Sequence, residues 1–228
     1  LHLLSRRQRQ MCIRDRSLTS ILGSLNKSID SITVVRGLKN FLSENEAKIQ
    51  YGILSGKVDT LVMLPMSFNV ALTTSLIPTI AYSKAMGDSE TIKKRVSFSI
   101  LLTILMGLPC MAGLIFFGEP ILKLLFPNQS NGAIVLQISA ISIIFIVLEQ
   151  TISGVLQGLG KVTIPAIALT VGVVIKLILN LILIKIDPNV FILGGINGAT
   201  VSTVICHMVA VIICLLYTSD AADDLIGV

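Results

Sequence analysis

The chain has no tryptophan, only 5% aromatic residues and little charge: 14% of its 228 residues are Asp, Glu, Lys or Arg. A soluble domain carries about 25% charged residues, so this sequence cannot cover a water-facing surface. With 53% hydrophobic residues and a mean hydropathy of +0.86, it reads as an integral membrane protein. The missing tryptophan removes the usual aromatic marker of the membrane interface. The four cysteines, Cys12, Cys110, Cys206 and Cys214, form no CxxC pair. Three lie in apolar stretches, where cysteine behaves as a small hydrophobe, so neither a disulfide framework nor a zinc site is expected. His2 and His207 are far apart and form no metal-binding pattern. There is no DxD, HExxH or Walker pattern, and the loops are too short for a catalytic domain. No enzyme activity, cofactor or metal is therefore expected. The net charge of +5 does not point to nucleic acid, because the basic residues are scattered between apolar blocks, as flanking charges of membrane helices are.

A helix needs about 20 apolar residues to cross the hydrocarbon core. Five segments qualify: Tyr51–Tyr82, Val96–Gly118, Ala133–Leu156, Val162–Ile186 and Gly195–Leu216. Ser17–Val35 is semi-polar and reads as a partial sixth helix. No segment alternates with period two, which argues against a barrel, so the expectation is an all-α integral membrane fold with about five complete helices plus a partial one. The "GLGK" turn at 158–161 is tight enough to make its two helices antiparallel neighbours. "EPILKLLFPNQSNG" at 119–132 reads as an interfacial turn in which Pro120 and Pro127 limit helix, and "KIDPNVFILGG" at 185–195 reads as another turn. Positive charge does not set the orientation. Lys84, Lys93, Lys94, Arg95 and Lys161 on one side balance Arg36, Lys39, Lys48, Lys123 and Lys185 on the other.

Both ends look foreign. The segment "MCIRDR" near the start and "LYTSDAADDL" near the end resemble translated sequencing-adapter read-through. Residues 1–16 and 216–228 are therefore expected to be non-native, and residues 17–215 to be an internal piece of a longer protein.

The first span carries Pro65 and Pro78 although it has no charge from Thr60 to Ser83. A proline removes a helix hydrogen bond, and in lipid the freed carbonyl needs a partner inside the protein. Ser67, Asn69, Thr73, Thr74 and Ser75 are placed to supply one. Pro65, Pro78 and, in the second span, Pro109 are thus candidate kinks, with packing alone as the other explanation.

"LSGKVDTLVMLPMSFNVALTTSLIPTIAYSKAMGD" resembles the eighth helix of the multidrug/oligosaccharidyl-lipid/polysaccharide exporter superfamily. "EQTISGVLQGLGKVTIPAI" also matches that superfamily, and "KSIDSITVVRGL" is similar to the end of its seventh helix. The branch resembled is the polysaccharide-biosynthesis and stage V sporulation protein B group, relatives of the lipid II flippases. The resemblance covers about residues 17–215. It implies helices seven to twelve, the second half of a MATE-like two-bundle transporter in the bacterial cytoplasmic membrane, with the 84–95 loop cytoplasmic. It implies as partners membrane lipids, a polyprenyl-diphosphate-linked glycan as cargo and a first bundle of the same protein, with flipping by alternating access. A cation-coupled multidrug antiporter of the same fold is the alternative.

A charge near the bilayer centre costs about 2.5–3.5 kcal/mol on insertion scales and normally faces a cavity or a partner. Glu149 shares a stripe with Ser139, Ser142, Ser153 and Gln157 at helical spacing. Lys176 has Gly172 and Asn180 four residues to either side, and Lys57 and Asp59 open the first span. His207 shares a face with Asn197, Thr200 and Thr203. Each also has a plainer reading: an interfacial Lys57 and Asp59, a snorkelling Lys176, a helix-pairing Glu149, a hydrogen-bonded core His207. A direct Glu149–Lys176 pair lies near the reach of a long side chain. Arg36, Lys57 and Lys176 are the cations expected to meet a diphosphate, with Asp59, Glu149 and Asn180 beside the path.

Overall fold

The computed structural model describes Ser24 and residues 26–127, 131–186 and 193–226, with side chains to Thr218. Among these residues there is no strand. The first helix, α1, covers 26–38. A polar helix follows, α2 (Glu44–Gly52), started by a capping box in which Ser43 and Glu46 exchange hydrogen bonds. Glu44 of α2 bridges Lys39 and Lys48 at 3.0 and 2.8 Å. A π-helical turn, Ile53–Val58, leads without a break into α3 (Asp59–Ala85). Then come α4 (Ser89–Leu125), α5 (Ala133–Gly158), α6 (Thr163–Leu183) and α7 (Gly195–Ile226). Among the described residues, five helical segments are long and apolar enough to cross a membrane. These are the five expected from the sequence.

The middle helix is α5. Half of its apolar stretch is buried, and it packs along α3, α4 and α7. The glycines of "SGVLQGLG" set its distance from α3. A Cβ on Gly154 would collide with Thr73, and one on Gly158 would lie 3.0 Å from the Ile77 carbonyl oxygen. Small residues allow such close backbone approach where lipid gives no hydrophobic drive to pack. The same device joins α6 to α7, where a Cβ on Gly172 would sit 2.8 Å from the Cys206 carbonyl oxygen.

This pairing overturns one expectation. Although the 158–161 turn is tight, α6 barely touches α5 and packs on α7 instead. The turn closes through Gly160 at φ 76, with Lys161 N–H donating to Leu156 O at 2.8 Å. That left-handed residue, open to glycine, lets the chain leave α5 at an angle, and the Gly172 face then selects α7.

The 119–132 segment also differs from expectation. Helix α4 runs on through Pro120 to Leu125, and its 37 residues span about 55 Å, well beyond the hydrocarbon thickness. Its start is fixed by Asp88, whose carboxylate accepts from the Thr91 amide at 3.0 Å and the Thr91 hydroxyl at 2.6 Å. Those bonds hold the Asp88 carboxyl below its ordinary range. Lys84 donates to Leu159 O at 2.6 Å, which places the 84–95 loop and the 158–161 turn at the same end of the bundle.

Pro65 and Pro78 lie inside a continuous α3, and Pro109 inside α4. The hydroxyls of Ser67, Thr73, Thr74 and Ser75 bond to the carbonyls of Met63, Asn69, Ala71 and Leu72. These are not the carbonyls one turn before each proline, those of Leu61 and Thr74. The expected relief of the proline sites by these hydroxyls is therefore replaced by general back-bonding along the helix. The leader 1–16 and the centre of the 185–195 turn lie outside the described residues. Helix α7 continues past Leu216 into the tail.

Candidate functional site

Helical spacing on two helices builds the most polar part of the interior. On α1, Asn26, Asp30 and Thr33 fall on one face; on α6, Lys176 and Asn180 are one turn apart. Where these faces meet, Lys176 Nζ donates to Asp30 Oδ2 at 2.6 Å and to Asn26 Oδ1 at 2.8 Å. Asn180 Nδ2 donates to Asp30 Oδ1 at 3.2 Å and to Thr33 Oγ1 at 3.1 Å. Ser202 of α7 donates to Asn180 Oδ1 and closes the cluster. The Lys176 side chain is 1% exposed and that of Asp30 is 21% exposed. This settles the snorkelling question: the ammonium is held inside the bundle by a counter-ion. An ammonium has three donors and no acceptor, and acceptors on α1 take two of them.

A cavity of about 380 Å³ lies against this cluster. Asn26, Lys27 and Asp30 of α1 form one wall, and Asp59, Met63 and Met66 of α3 another. Ser139 and Ser142 of α5, Lys176, and Thr200, Thr203 and His207 of α7 complete it. A second cavity of about 330 Å³ shares Lys27, Asp30, Asp59 and Met63 and is extended by Tyr51, Ser55 and Thr60. The π-helical turn before α3 adds one residue to a helical turn, a feature common at functional sites, and Asp59 follows it directly.

Glu149, buried on α5, is not paired with Lys176. It accepts from or shares a proton with His207 Nδ1 at 2.6 Å. The expected Glu149–Lys176 contact fails because α7 packs on both α5 and α6 while those two scarcely meet, and because Asp30 reaches Lys176 from α1. Lys57 is half-buried with its ammonium 5.2 Å from the centroid of the Phe126 ring, outside the cavity lining. Arg36 is exposed on α1 and is likewise outside that lining.

A second polar knot joins α3, α4 and α5. Asn69 Nδ2 donates to Val147 O at 2.9 Å and Gln150 Oε1 at 3.1 Å, while its Oδ1 accepts from Thr103 at 3.2 Å and Thr151 at 3.3 Å. Buried side-chain bonds of this kind hold membrane helices together.

Asp30, Asn26, Lys27 and Ser202 join the site without being among the residues expected from the sequence. Asp30 stands in the quoted stretch "KSIDSITVVRGL", and its i, i+4 and i, i+3 relation to Asn26 and Thr33 was the available signal. The helix is too polar to read as a full span, which hides that face.

The MatE family model matches residues 51–182, more than half of the chain, and the chain belongs to the MatE family. It is a multi-pass bacterial membrane protein. It is 32% identical over 187 residues to the uncharacterized membrane protein YabM of Bacillus subtilis, a match covering 82% of this chain and 33% of that protein. It is 30% identical over 139 residues to the lipid II flippase MurJ of Bacillus subtilis, covering 59% of this chain and 25% of MurJ. It is 27% identical over 158 residues to the probable low-salt glycan biosynthesis flippase Agl15 of Haloferax volcanii, covering 69% of this chain and 32% of that protein. The chain thus spans a third or less of the length of these relatives. No solved structure matches it.

Proposed function

We propose that residues 17–215 form the second bundle, helices seven to twelve, of a flippase that carries a lipid-linked oligosaccharide or peptidoglycan precursor across the membrane by alternating access. The names of two relatives, a lipid II flippase and a probable glycan-biosynthesis flippase, support the class of cargo. The observation that carries the reading is the position of Lys176: a cation in the wall of an intramembrane cavity, 1% exposed. Intramembrane ionisable groups facing a cavity mark substrate paths. A diphosphate between a polyprenyl tail and a glycan needs cationic cover while the tail stays in lipid.

Lys176 is already neutralised by Asp30. A phosphate entering the cavity therefore competes with Asp30 for the ammonium, and the exposed Lys27, which lines both cavities, supplies a second cation. Exchange of one anion for another lets the lysine bind cargo and let it go without ever standing unpaired. Lys57 and Arg36 belong to this path only in a conformation that carries them to the cavity. The first bundle of the same protein supplies the facing wall. No step of this reading calls for a cofactor or for catalysis.

The test is complementation. The full-length protein restores growth to a bacterium depleted of its cell-wall precursor flippase, and Lys176→Ala weakens the rescue. Export of ethidium-like cations with no rescue selects the antiporter instead, with Asp30 and Asp59 as its cation-binding carboxylates.

A further inference from the structure

The second cavity has a lining that neutralising a phosphate leaves unused. Where it departs from the first cavity, it adds Tyr51, Ser55 and Thr60 to Asp59. In an unbroken α-helix Tyr51 and Asp59, eight positions apart, would point about 80° from each other. The π-helical turn Ile53–Val58 between them absorbs one residue, so the spacing acts as seven and the angle closes to about 20°. Tyr51, Ser55 and Asp59 therefore stand on one face, with Thr60 beside them. The Ser55 hydroxyl donates to Tyr51 O at 2.9 Å and the Thr60 hydroxyl to Gly56 O at 2.8 Å. Each hydroxyl thus uses its one proton inside the helix and offers the cavity lone pairs. The half-buried Asp59 carboxylate is an acceptor as well, and among the described residues none donates a hydrogen bond to it. Tyr51, half-buried and packed on the bundle core, brings an aromatic ring to this polar wall.

The charges around this cavity balance. Asp30 is held by Lys176, and Lys27 on α1 offsets Asp59 on α3. Such a wall suits a polar ligand without charge that brings many O–H donors, and a sugar is that ligand. Its hydroxyls donate to a carboxylate and to hydroxyl lone pairs, and its C–H face lies against an aromatic ring. Lys27 supplies a donor for a ring or acetamido oxygen. The volume, about 330 Å³, is at the lower end for small-molecule sites and so fits one sugar residue, not a chain of them. The two cavities share Lys27, Asp30, Asp59 and Met63, so a group bonded to a phosphate at Lys176 falls into the second one.

We propose that Tyr51, Ser55, Asp59 and Thr60 form a carbohydrate subsite for the sugar joined directly to the diphosphate. This rests on the flippase reading given above. The subsite lies toward α2, at the end of α3 away from Lys84. The cargo therefore stands with its sugar toward that end and its phosphate at the buried lysine.

The test uses the full-length protein in liposomes and two fluorescent short-chain polyprenyl diphosphates. One carries N-acetylglucosamine; the other carries a methyl group in its place. A few hydrogen bonds made only by the sugar lower the half-saturating concentration about tenfold. Wild type should favour the sugar probe by about that factor. Asp59→Asn and Tyr51→Leu should each remove most of the preference by weakening the sugar probe, and should leave the methyl probe as it is in wild type. If Tyr51→Leu does not fold, Asp59→Asn, which keeps size and shape, serves alone. Wild type that handles the two probes equally overturns the subsite and leaves the flippase reading intact. Variants that weaken both probes alike, or that keep the full preference, also overturn the subsite. Wild type that moves neither probe overturns the flippase reading, and the subsite falls with it.

Discussion

Removing Asp30 should leave the most deeply buried charge in the bundle without its counter-ion. In Asp30→Asn the shape is kept and the charge is lost, so Lys176, 1% exposed, must stay charged in a wall of apolar helices or give up its proton. Breaking a buried pair from one side costs about 3–5 kcal/mol. Asp30 itself is 21% exposed and opens on a cavity, so water reaches the gap and the lower end, about 3 kcal/mol, is expected. Lys176→Met should cost less, because the carboxylate left behind is nearer water and keeps the Asn180 amide as a donor at 3.2 Å. The double variant should be more stable than Asp30→Asn alone, since an uncharged wall needs no compensation. A coupling energy of about 2 kcal/mol is expected, well above the roughly 0.5 kcal/mol scatter of independent sites. The assay is reversible unfolding of the full-length protein in mixed micelles for the four forms. Additive effects, or an Asp30→Asn variant as stable as wild type, would refute the argument that the pair is held inside the bundle.

Asn69→Leu should remove the amide shared by Thr103, Thr151, Gln150 and the Val147 carbonyl. Thr103 and Thr151 keep their bonds to the Ser99 and Val147 carbonyls, so what is lost is the set of inter-helix bonds at about 0.5–1.5 kcal/mol each; a loss of about 2–4 kcal/mol is expected in the same unfolding assay, with Asn69→Gln intermediate. At the other end of the bundle, Asp88→Ala should loosen the first turn of α4, read as faster hydrogen exchange at the Thr91 amide. The cap should also respond to acid. The folded carboxyl titrates below its unfolded value, so its contribution is complete above the ordinary carboxylate range and is lost as pH falls through the depressed value. Thr91 exchange in wild type should then approach that of the variant only in strong acid.

Much of the architecture was readable from chain chemistry, because lipid leaves few choices. Five apolar runs became five long helices, and Lys84 and Lys161 came out at one end as the short loops required. What was not readable depended on contacts between helices. Nothing in the composition of α6 says that its glycine face at Gly172 prefers α7 to the helix it is tied to by four residues. Pro120 looked like a stop, yet a proline only removes one hydrogen bond, and the rest of the turn carried α4 on to Leu125. In the site, Lys176 and Glu149 were visible as charges in apolar runs, but their partners were not. Asp30 sat in a helix too polar to count as a span, and its polarity came from the very face that meets Lys176. Lys57 was visible for the same reason as Lys176, but the π-helical turn carries it toward Phe126 and away from the cavity.

Lys176 is proposed to meet a phosphate in transit. The most direct measurement is translocation of a polyprenyl-diphosphate-linked sugar by the full-length protein in liposomes, scored by loss of a leaflet-specific label, for wild type, Lys176→Arg and Lys176→Gln. Rapid movement is expected in wild type, partial retention with arginine, which keeps the charge, and a large loss with glutamine. Equal rates for wild type and Lys176→Gln, in proteins that fold equally well, would contradict it.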